Sequence, residues 1–252
     1  MTVDQLAKRP SSSVWAVILA AGGSSRFGTA GPKQLVPFAG EPLVAHLTRT
    51  VLSSRAAKVL VVAGYRALEV AQAVTRLGVA ALTNDRYAEG QSTSVIAAIR
   101  AIGPSATGVI FIPCDQPYLT RELIDYLIAQ FESSEAPLVI PTVDGERRSP
   151  VVVGRGLFPE LEELKGDQGA RQLFPRYEDG LIEVPWPDRR ALADFNTQEE
   201  FERLLTSSAE MAELSMPEQH EPLSDLRVEG EAGPPAEDEG VASDGDGGAS
   251  DG

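Results

Sequence analysis

An apolar segment runs directly into a loop of glycine and serine in the stretch VILAAGGSSRFGTAGPKQL, residues 17–35. The only charged side chains of this stretch are Arg26 and Lys33, and both are positive. Backbone N–H groups on such a loop can converge on phosphate oxygens, and nearby cations can neutralise the remaining charge. The spacing fits neither a Walker loop nor a dinucleotide-binding fingerprint. The stretch therefore predicts another kind of phosphate-binding loop, with a solvated surface loop as the alternative.

Predicted strands and helices alternate along the chain, which indicates the fold class. Five short runs rich in β-branched residues are apolar almost throughout, as in strands buried on both faces: residues 14–20, 58–64, 108–114, 137–143 and 149–154. Start and stop signals predict helices over residues 42–54, 67–78, 92–103, 120–131 and about 197–206. This order predicts an α/β protein, a single Rossmann-like three-layer domain with a mostly parallel sheet. Its ligand is expected beyond the carboxyl ends of the strands.

The charge of the chain is unevenly distributed, and this predicts its domain organisation. Of 252 residues with a formal net charge of −15, those from Thr206 onward include thirteen acidic side chains and one base, Arg227. That segment contains no aromatic residue except His220, so it cannot bury enough apolar surface to offset the entropy of ordering. We expect a flexible N-terminus (residues 1–13), a globular domain (14–206) and a disordered acidic tail (207–252).

Composition argues against several classes of protein. A single cysteine, Cys114, excludes an internal disulfide framework and a cysteine-based zinc site. The first thirteen residues lack the apolar core of a secretory signal, and the longest apolar runs are too short to span a bilayer. No basic stripe stands out, and an acidic tail would repel nucleic-acid phosphates. We therefore expect a reduced, cytoplasmic protein that binds neither nucleic acid nor membranes.

A carboxylate directly follows the third predicted strand, in the stretch IPCDQPYLT, residues 112–120. Asp115 stands there between two prolines, at the strand end where open α/β sheets bind ligands. A carboxylate at this position is suited to bind Mg²⁺ and to deliver it to a phosphate. The alternative is a carboxylate that only caps a turn. Cys114 is predicted to fill an apolar space, because no histidine lies near it in sequence to activate the thiol.

A second group of oxygen ligands precedes the last predicted helix, in ADFNTQEEFERL, residues 193–204. Asp194 and Asn196 come immediately before Thr197, which is predicted to cap the helix. One interpretation is capping chemistry alone. The other is that Asp194 or Asn196 supplies a second oxygen ligand to the metal held by Asp115.

Taken in this order, the three clusters resemble the molybdenum-cofactor nucleotidyltransferases, within the larger nucleotide-diphosphosugar-transferase-like fold. LAAGGSSRFG…PKQL is similar to their L-A-x-G-x-S-x-R-x-G…P-K signature, PCDQP to their metal-binding L-x-D-x-P, and DFNT to their closing D-x-D-T. Two further stretches are similar to the molybdopterin cytidylyltransferase branch: NDRYAEGQSTSVIAAI (84–99) and GRGLFPELEELKGDQGARQLF (154–174). The resemblance covers roughly residues 14–205.

The resemblance implies transfer of a cytidylyl group from CTP to the terminal phosphate of molybdopterin, with Mg²⁺ as cofactor. That phosphate attacks the α-phosphorus in line, and pyrophosphate leaves without a covalent enzyme intermediate. By resemblance, Arg26 and Lys33 stabilise the triphosphate charge, and Asp115 holds the metal with Asn196 or Asp194. The first loop is implied to approach the nucleotide through Leu19, Ala20, Ala21, Gly22 and Gly23.

The resemblance also implies which base is transferred and which residues contact the base and the acceptor. Guanylyl-transferring members read L-A-G-G where this chain reads LAAG, so the methyl group of Ala21 is consistent with a smaller base. Asn84, Ser92 and Ser94 are candidates for contact with the base or the acceptor, with a turn residue and helix caps as the alternatives. The candidate acceptor-binding residues are Ser149, Asp167 and Arg171, for which a turn-and-cap role is the structural alternative.

The chain departs from the family pattern at three places. Asn196 stands where the family usually has Asp, which keeps an oxygen ligand and removes one negative charge. Two extra residues separate Arg26 from Lys33, and the segment at 145–153 lacks the histidine usual in this branch. Two other functions stay open: nucleotidyl transfer with another base or acceptor, such as guanylyl transfer, and a non-catalytic escort of the cofactor. The resemblance further implies transient contact with a molybdenum hydroxylase or its maturation factor.

Overall fold

The computed structural model describes residues 12–23, 27 and 31–214, with side chains as far as residue 206. The chain divides into a unit of residues 1–209, which contains the sheet, and a unit of residues 210–252. Of the second unit, the structure describes the helical residues 210–214. Within the described residues, no helix combines the length and the apolar character that crossing a membrane requires.

Strands and helices alternate along the described residues, as the sequence predicts. The strands are β1 (Val14–Ala20), β2 (Pro37–Phe38), β3 (Glu41–Pro42), β4 (Lys58–Ala63), β5 (Ala81–Thr83), β6 (Gly108–Pro113), β7 (Leu138–Val143), β8 (Glu146–Arg147), β9 (Val151–Gly154) and β10 (Leu181–Pro185). The helices are α1 (Leu43–Leu52), α2 (Ala67–Thr75), α3 (Gln91–Ala101), α4 (Arg121–Glu132), α5 (Phe158–Leu161) and α6 (Gln198–Leu214). All five predicted strands and all five predicted helices are present, and only α6 differs substantially from its predicted bounds.

One sheet of eight strands organises the fold, in the order β10-β7-β9-β6-β1-β4-β5, with β8 paired to β7. β1 pairs in parallel with both β4 and β6. Leu19 lies opposite Pro113, and Ala20 lies opposite Ala63. Because the carboxyl ends of parallel neighbours meet at one edge, the loops that follow β1, β4 and β6 begin side by side. The predicted α/β fold with a mostly parallel sheet is confirmed.

Alternating side chains of β1 enter two apolar layers, one on each face of the sheet. Val14, Ala16, Ile18 and Ala20 pack with apolar residues of α1, α2 and α4. Val17 packs on the opposite face with apolar residues of α3 and α5. Burial of a medium-sized apolar side chain contributes about 1.5–3 kcal/mol, so two such layers explain why β1 is apolar almost throughout.

Two strands depart from the parallel direction: β9 runs antiparallel to both of its neighbours, β6 and β7, and the two-residue β8 runs antiparallel to β7. The chain reaches β9 from β7 through β8 by short turns, whereas a parallel return needs a crossover of about a dozen residues or more. The sequence analysis also missed β5 and β10. β5 has three residues and β10 has one buried residue out of five, so neither forms a long apolar run.

The last helix extends further than predicted, to Leu214 instead of about residue 206. Its start is a capping box: the Glu200 N–H donates to Thr197 Oγ1 at 3.2 Å, and Glu200 Oε2 accepts from the Thr197 N–H at 3.3 Å. The predicted cap at Thr197 is therefore present. Residues 207–214, which the sequence places at the start of the expected tail, continue the helix. The expected N-terminal residues 1–11 and tail residues 215–252 lie outside the described residues.

Candidate active site

The start of the glycine loop is held against the end of β4 by hydrogen bonds. The Tyr65 N–H donates to the Ala21 carbonyl at 3.2 Å. Gln34 Nε2 donates to the carbonyls of Gly22 (3.2 Å) and Tyr65 (3.4 Å), and the Gln34 side chain is buried. The sequence analysis missed this glutamine, although it lies in the PKQL stretch. Arg26, which was predicted on the same loop, lies outside the described residues.

Replacing Gln34 by Leu is expected to lower the free energy of unfolding by about 1–3 kcal/mol, because two carbonyls lose a buried donor. Urea denaturation of the purified variant measures this change. The matched control is Gln72→Leu on α2, where the glutamine is exposed and a change below about 0.5 kcal/mol is expected. Equal stability of the two variants would show that Gln34 does not support the loop.

A close backbone contact at Gly64 determines where Tyr87 lies. A Cβ atom at Gly64 would stand 2.5 Å from the Tyr87 Cβ and 2.7 Å from the Ala21 carbonyl oxygen. Real Cβ contacts do not come this close, so the position accepts only glycine. The absence of a side chain at Gly64 lets Tyr87 pack beside the glycine loop and line the cleft that opens there.

Asp115 and Lys33 meet where β6 ends. Lys33 Nζ donates to Asp115 Oδ2 at 2.5 Å, and the two side chains are 20% and 16% exposed. The other carboxylate oxygen, Asp115 Oδ1, is buried and has no hydrogen-bond partner among the described residues. A buried acceptor without a partner is costly, and such an atom is suited to bind a cation.

Cys114 lies beside this carboxylate and packs with the apolar residues of one face of the sheet. Burial raises the pKa of the Cys114 thiol, and the neighbouring Asp115 carboxylate raises it further. The thiol therefore stays protonated at neutral pH, which agrees with the apolar role predicted for it.

Two hydrogen bonds draw the segment before α6 against the Asp115 loop, and a third ties that loop to Ser149. The Phe195 N–H donates to the Asp115 carbonyl at 3.2 Å. Gln116 Nε2 donates to the carbonyls of Leu192 (3.2 Å) and Ser149 (2.9 Å), and Gln116 is buried. These bonds bring Asp115 and the residue before Phe195, Asp194, to the same cleft.

The carboxyl group of Asp194 interacts with several charges in this cleft. Partial burial raises the pKa of Asp194, and the Asp115 carboxylate raises it further. The cations Arg148, Lys33 and Arg171 lower it, in that order. More than a third of the Asp194 surface stays exposed, so water screens these effects. Asp115, Asp194, Lys33 and Arg171 all line the cleft, whereas Arg148 acts on Asp194 without lining it.

Of the two residues predicted to assist Asp115, Asp194 lines the cleft and Asn196 does not. The Asn196 N–H instead donates to Glu200 Oε2 at 2.6 Å, next to the cap of α6. Within the part of the chain that the structure describes, no three Asp, Glu, His or Cys side chains form a metal-binding group. A cation at Asp115 and Asp194 would therefore need further ligands from substrate or water, which is the usual arrangement for Mg²⁺.

The cleft consists of two adjoining chambers of similar size. The glycine-loop chamber, of about 310 Å³, is lined by Ala20, Ala21, Gly22, Gly23, Lys33 and Gln34, with Tyr87, Gly90, Ser94 and Cys114. The Arg171 chamber, of about 300 Å³, is lined by Ser149, Arg171, Gln172 and Asp194, with Val95, Phe111, Val151, Gly169 and Ala170. Both chambers share Leu19, Gln91, Pro113, Asp115 and Asp167.

The three predicted acceptor-binding residues converge on the Arg171 chamber. Arg171 Nη2 donates to Ser149 Oγ at 3.1 Å, and Asp167 lies at the boundary with the glycine-loop chamber. The loop that carries Asp167 is tied to the start of α3, because the Ser92 N–H donates to the Gly166 carbonyl at 3.0 Å.

Of the three residues predicted to contact the base or the acceptor, Ser94 lines the glycine-loop chamber, whereas Asn84 and Ser92 line neither chamber. Both are buried and line a separate cavity. Asn84 Nδ2 donates to Thr93 Oγ1 at 2.8 Å and to Ser94 Oγ at 2.9 Å, which supports the turn role that was the alternative. Gln91, which the sequence analysis missed, lines both chambers from the first turn of α3.

Known proteins with similar sequences include three curated relatives. PucB, the purine catabolism protein of Bacillus subtilis (strain 168), is 31% identical over 74% of this chain and 93% of its own length. Nicotine blue oxidoreductase of Paenarthrobacter nicotinovorans is 28% identical over 76% of this chain and 96% of its own length. The molybdenum cofactor guanylyltransferase of Shewanella sp. (strain ANA-3) is 31% identical over 59% of this chain and 70% of its own length.

Two solved structures share the fold. The homologue of Mycobacterium tuberculosis rv0371c from Mycobacterium sp. strain JC1 is 30% identical, covering 79% of this chain and 98% of its own, with a TM-score of 0.69. Rv0371c from M. tuberculosis H37Rv, in complex with manganese, is 22% identical, covering 77% of this chain and 98% of its own, with a TM-score of 0.64.

A family model matches most of the chain, including the glycine loop and the loop that carries Asp115. The model describes the MobA-like NTP transferase domain, and it matches residues 16–180. The resemblance inferred from the glycine loop and from Asp115 is thereby confirmed. This chain belongs to the MobA-like NTP transferase domain family, and it is a nucleotidyltransferase.

Proposed function

We propose that this nucleotidyltransferase transfers the cytidylyl group of CTP to the terminal phosphate of a molybdopterin-type acceptor and releases pyrophosphate. The observation that carries the proposal is the Lys33–Asp115 pair, because Asp115 lines both chambers of one cleft. The relative named molybdenum cofactor guanylyltransferase supports this class of acceptor. The LAAG sequence of the glycine loop supports CTP as the donor.

The glycine-loop chamber suits the triphosphate. The main chain from Ala21 to Gly23 lines it without bulky side chains, and Lys33 lines it as well. In the proposed reaction, Lys33 and Arg26 stabilise the negative charge that builds on the departing pyrophosphate. Positioning and charge neutralisation supply most of the rate in such transfers, so no covalent nucleophile is needed from the protein.

The Arg171 chamber suits the acceptor. Arg171, oriented by its hydrogen bond to Ser149, is available to hold an acceptor phosphate, and Phe111 and Val151 offer an apolar wall to a flat heterocycle. An oxygen of that phosphate forms the new bond to the α-phosphorus, and the bond from the α-phosphorus to the pyrophosphate oxygen breaks. The attacking phosphate is already anionic at neutral pH, so this step requires no general base.

A divalent cation fits the residues between the chambers, and we propose Mg²⁺. Asp115 Oδ1 is a buried oxygen with no partner among the described residues, and Asp194 contributes a second carboxylate in the same cleft. Oxygen ligands of this kind suit Mg²⁺ and Mn²⁺. When bound, the cation would supply positive charge to the reacting phosphates. The Gln116 and Phe195 hydrogen bonds hold the two carboxylates in position.

Replacing Ala21 by Gly is expected to weaken the preference for CTP over GTP by about tenfold, because one methyl group contributes about 1–3 kcal/mol of discrimination. Ala21 is buried and lines the glycine-loop chamber. The ratio of kcat/KM for the two nucleotides measures the effect. Ala106→Gly, which removes a buried methyl group that lines neither chamber, is the matched control. An unchanged ratio in Ala21→Gly would assign base selection to other residues.

The decisive experiment incubates the full chain with Mg²⁺, molybdopterin and each of the four nucleoside triphosphates, and follows pyrophosphate release. We expect pyrophosphate release with CTP and with no other nucleotide, and only when molybdopterin is present. Release with GTP would assign guanylyl transfer instead. Tight binding of the cofactor without release from any nucleotide would indicate an escort protein.

A further inference from the structure

The separate cavity beside α3 has its own residues and shares none with the two chambers. It measures about 270 Å³ and is lined by polar and apolar residues of α3, of the turn before it and of the segment 164–166. α3 contributes residues to both regions, and the position of each residue around the helix decides which region it lines. Gln91, Ser94 and Val95 line the cleft, whereas Ser92, Thr93, Ile96, Ala97 and Arg100 line the cavity.

The charged side chains that line this cavity are three cations, Arg86, Arg100 and Lys165, and one carboxylate, Glu89. Arg86 pairs with Glu89, and Arg100 pairs with Glu162 at 3.0 Å. Both arginines are more than 60% exposed, and ion pairs of this kind contribute about 0–1 kcal/mol. Each guanidinium has five N–H donors, so each can also bind an anion. Lys165 forms no ion pair with any described residue.

The hydroxyl group of a buried residue, Ser92, belongs to the same cavity. Ser92 is only 2% exposed and lines the cavity wall. Its side chain forms no hydrogen bond to any residue within 12–23, 27 or 31–214, although its backbone N–H bonds to Gly166. The neighbouring hydroxyl of Thr93 differs, because it donates to the Gly90 carbonyl at 2.8 Å. An unpartnered polar group inside a cavity is a donor that a ligand can use.

We propose that this cavity binds an anion that carries a phosphate group, at a site distinct from the active cleft. The Lys165 ammonium and the two guanidinium groups supply the positive charge, and Ser92 supplies a hydroxyl donor. Ile96 and Leu164 add an apolar wall that suits the carbon part of a phosphate ester.

The position of the cavity connects this site to the cleft. Lys165 and Gly166 line the cavity, and the next residue, Asp167, lines both chambers. The Gly166 carbonyl is also the acceptor of the Ser92 N–H. A ligand in the cavity therefore contacts the same loop that carries the proposed acceptor-binding residues.

Calorimetric titration of the full chain tests the proposal at low ionic strength and with a chelator present, using pyrophosphate and glycerol phosphate as separate probes. The variants are Lys165→Gln, Arg100→Gln and Ser92→Ala. Each cation variant is expected to weaken binding of the better probe by about tenfold, as the loss of one charge-assisted contact predicts, and Ser92→Ala by several-fold. Tighter binding of glycerol phosphate would identify an organic ester as the ligand, and tighter binding of pyrophosphate an inorganic one.

Two controls separate this cavity from other anion sites. Arg203→Gln removes an exposed arginine on α6 that pairs with Glu199, and it should leave binding unchanged. Lys33→Gln alters the active cleft and should also leave binding at the cavity unchanged. The proposal is overturned if neither probe binds at millimolar concentration, if Lys33→Gln weakens binding while Lys165→Gln does not, or if Arg203→Gln weakens it equally. The glycerol phosphate readouts do not depend on the proposed cytidylyl transfer, in which pyrophosphate is a product.

Discussion

Asp115→Asn is expected to lower kcat/KM for pyrophosphate release by about a hundredfold or more. Asn keeps the size of the side chain and removes the charge that pairs with Lys33 and that we propose binds the metal. Removing a single preorganised electrostatic group from an active site commonly costs about 10²- to 10³-fold in rate. The affinity for Mn²⁺, followed by electron paramagnetic resonance, should fall in parallel, because one of two carboxylates is lost.

The matched control for this variant is Asp85→Asn, which removes an exposed carboxylate from the turn before α3. Both proteins should be folded, as measured by circular dichroism, so that a rate difference reports on the site. If Asp115→Asn retains wild-type turnover and Mn²⁺ affinity, the proposed role of this carboxylate is wrong.

Gly90→Ala is expected to lower the free energy of unfolding by about 3 kcal/mol, and to impair acceptor use. Gly90 has a φ of +115°, and a Cβ atom there would lie 2.2 Å from the Gly166 carbonyl carbon and 2.7 Å from the Asp167 nitrogen. A left-handed backbone with a side chain costs about 1–3 kcal/mol, and overpacking costs about as much again. The clash is with backbone, so the loop that carries Asp167 must move.

Urea denaturation measures the stability change, and the apparent KM for the acceptor reports the displaced loop. Gly156→Ala is the matched control, because no atom lies within 4 Å of the Cβ that it adds and its φ is not in the left-handed region. It should change stability by less than about 0.5 kcal/mol. Equal stabilities for the two variants would mean that the contact between Gly90 and Gly166 does not hold this loop.

The aromatic residues around the glycine loop illustrate what local patterns miss. Phe27 is buried and packs against Phe195 (ring centroids 5.6 Å apart) and Phe201 (6.4 Å). Phe38 joins this group through Phe201 and Tyr118. The cluster links the loop after β1 to the segment of Asp194 and to α6. Nothing in the spacing of five aromatic residues across 174 positions indicates that they meet, because their contacts depend on the order of strands in the sheet.

Local patterns predicted the longer strands and helices and several of the residues that line the cleft. Continuous apolar runs predicted five strands, because residues buried on both faces of a sheet must be apolar. The same approach pointed to Lys33 and Asp115, because charged residues in loops after buried strands stand where ligands bind. Arg171 was predicted only from the resemblance to the family. Local patterns could not predict the direction of β9, since an apolar run of four residues packs equally well in either direction.

By itself, the sequence determined which segments are strands and helices and which loops carry charge, because these depend on neighbouring residues. Tertiary structure decided that Lys33 meets Asp115, that Asp194 rather than Asn196 lines the cleft, and which residues of α3 face it. Successive helical residues are rotated by about 100°, so a single position separates Gln91 in the cleft from Ser92 in the other cavity. That rotation is set by packing against the sheet and by the contact between Gly90 and Gly166, which lie far apart in the chain.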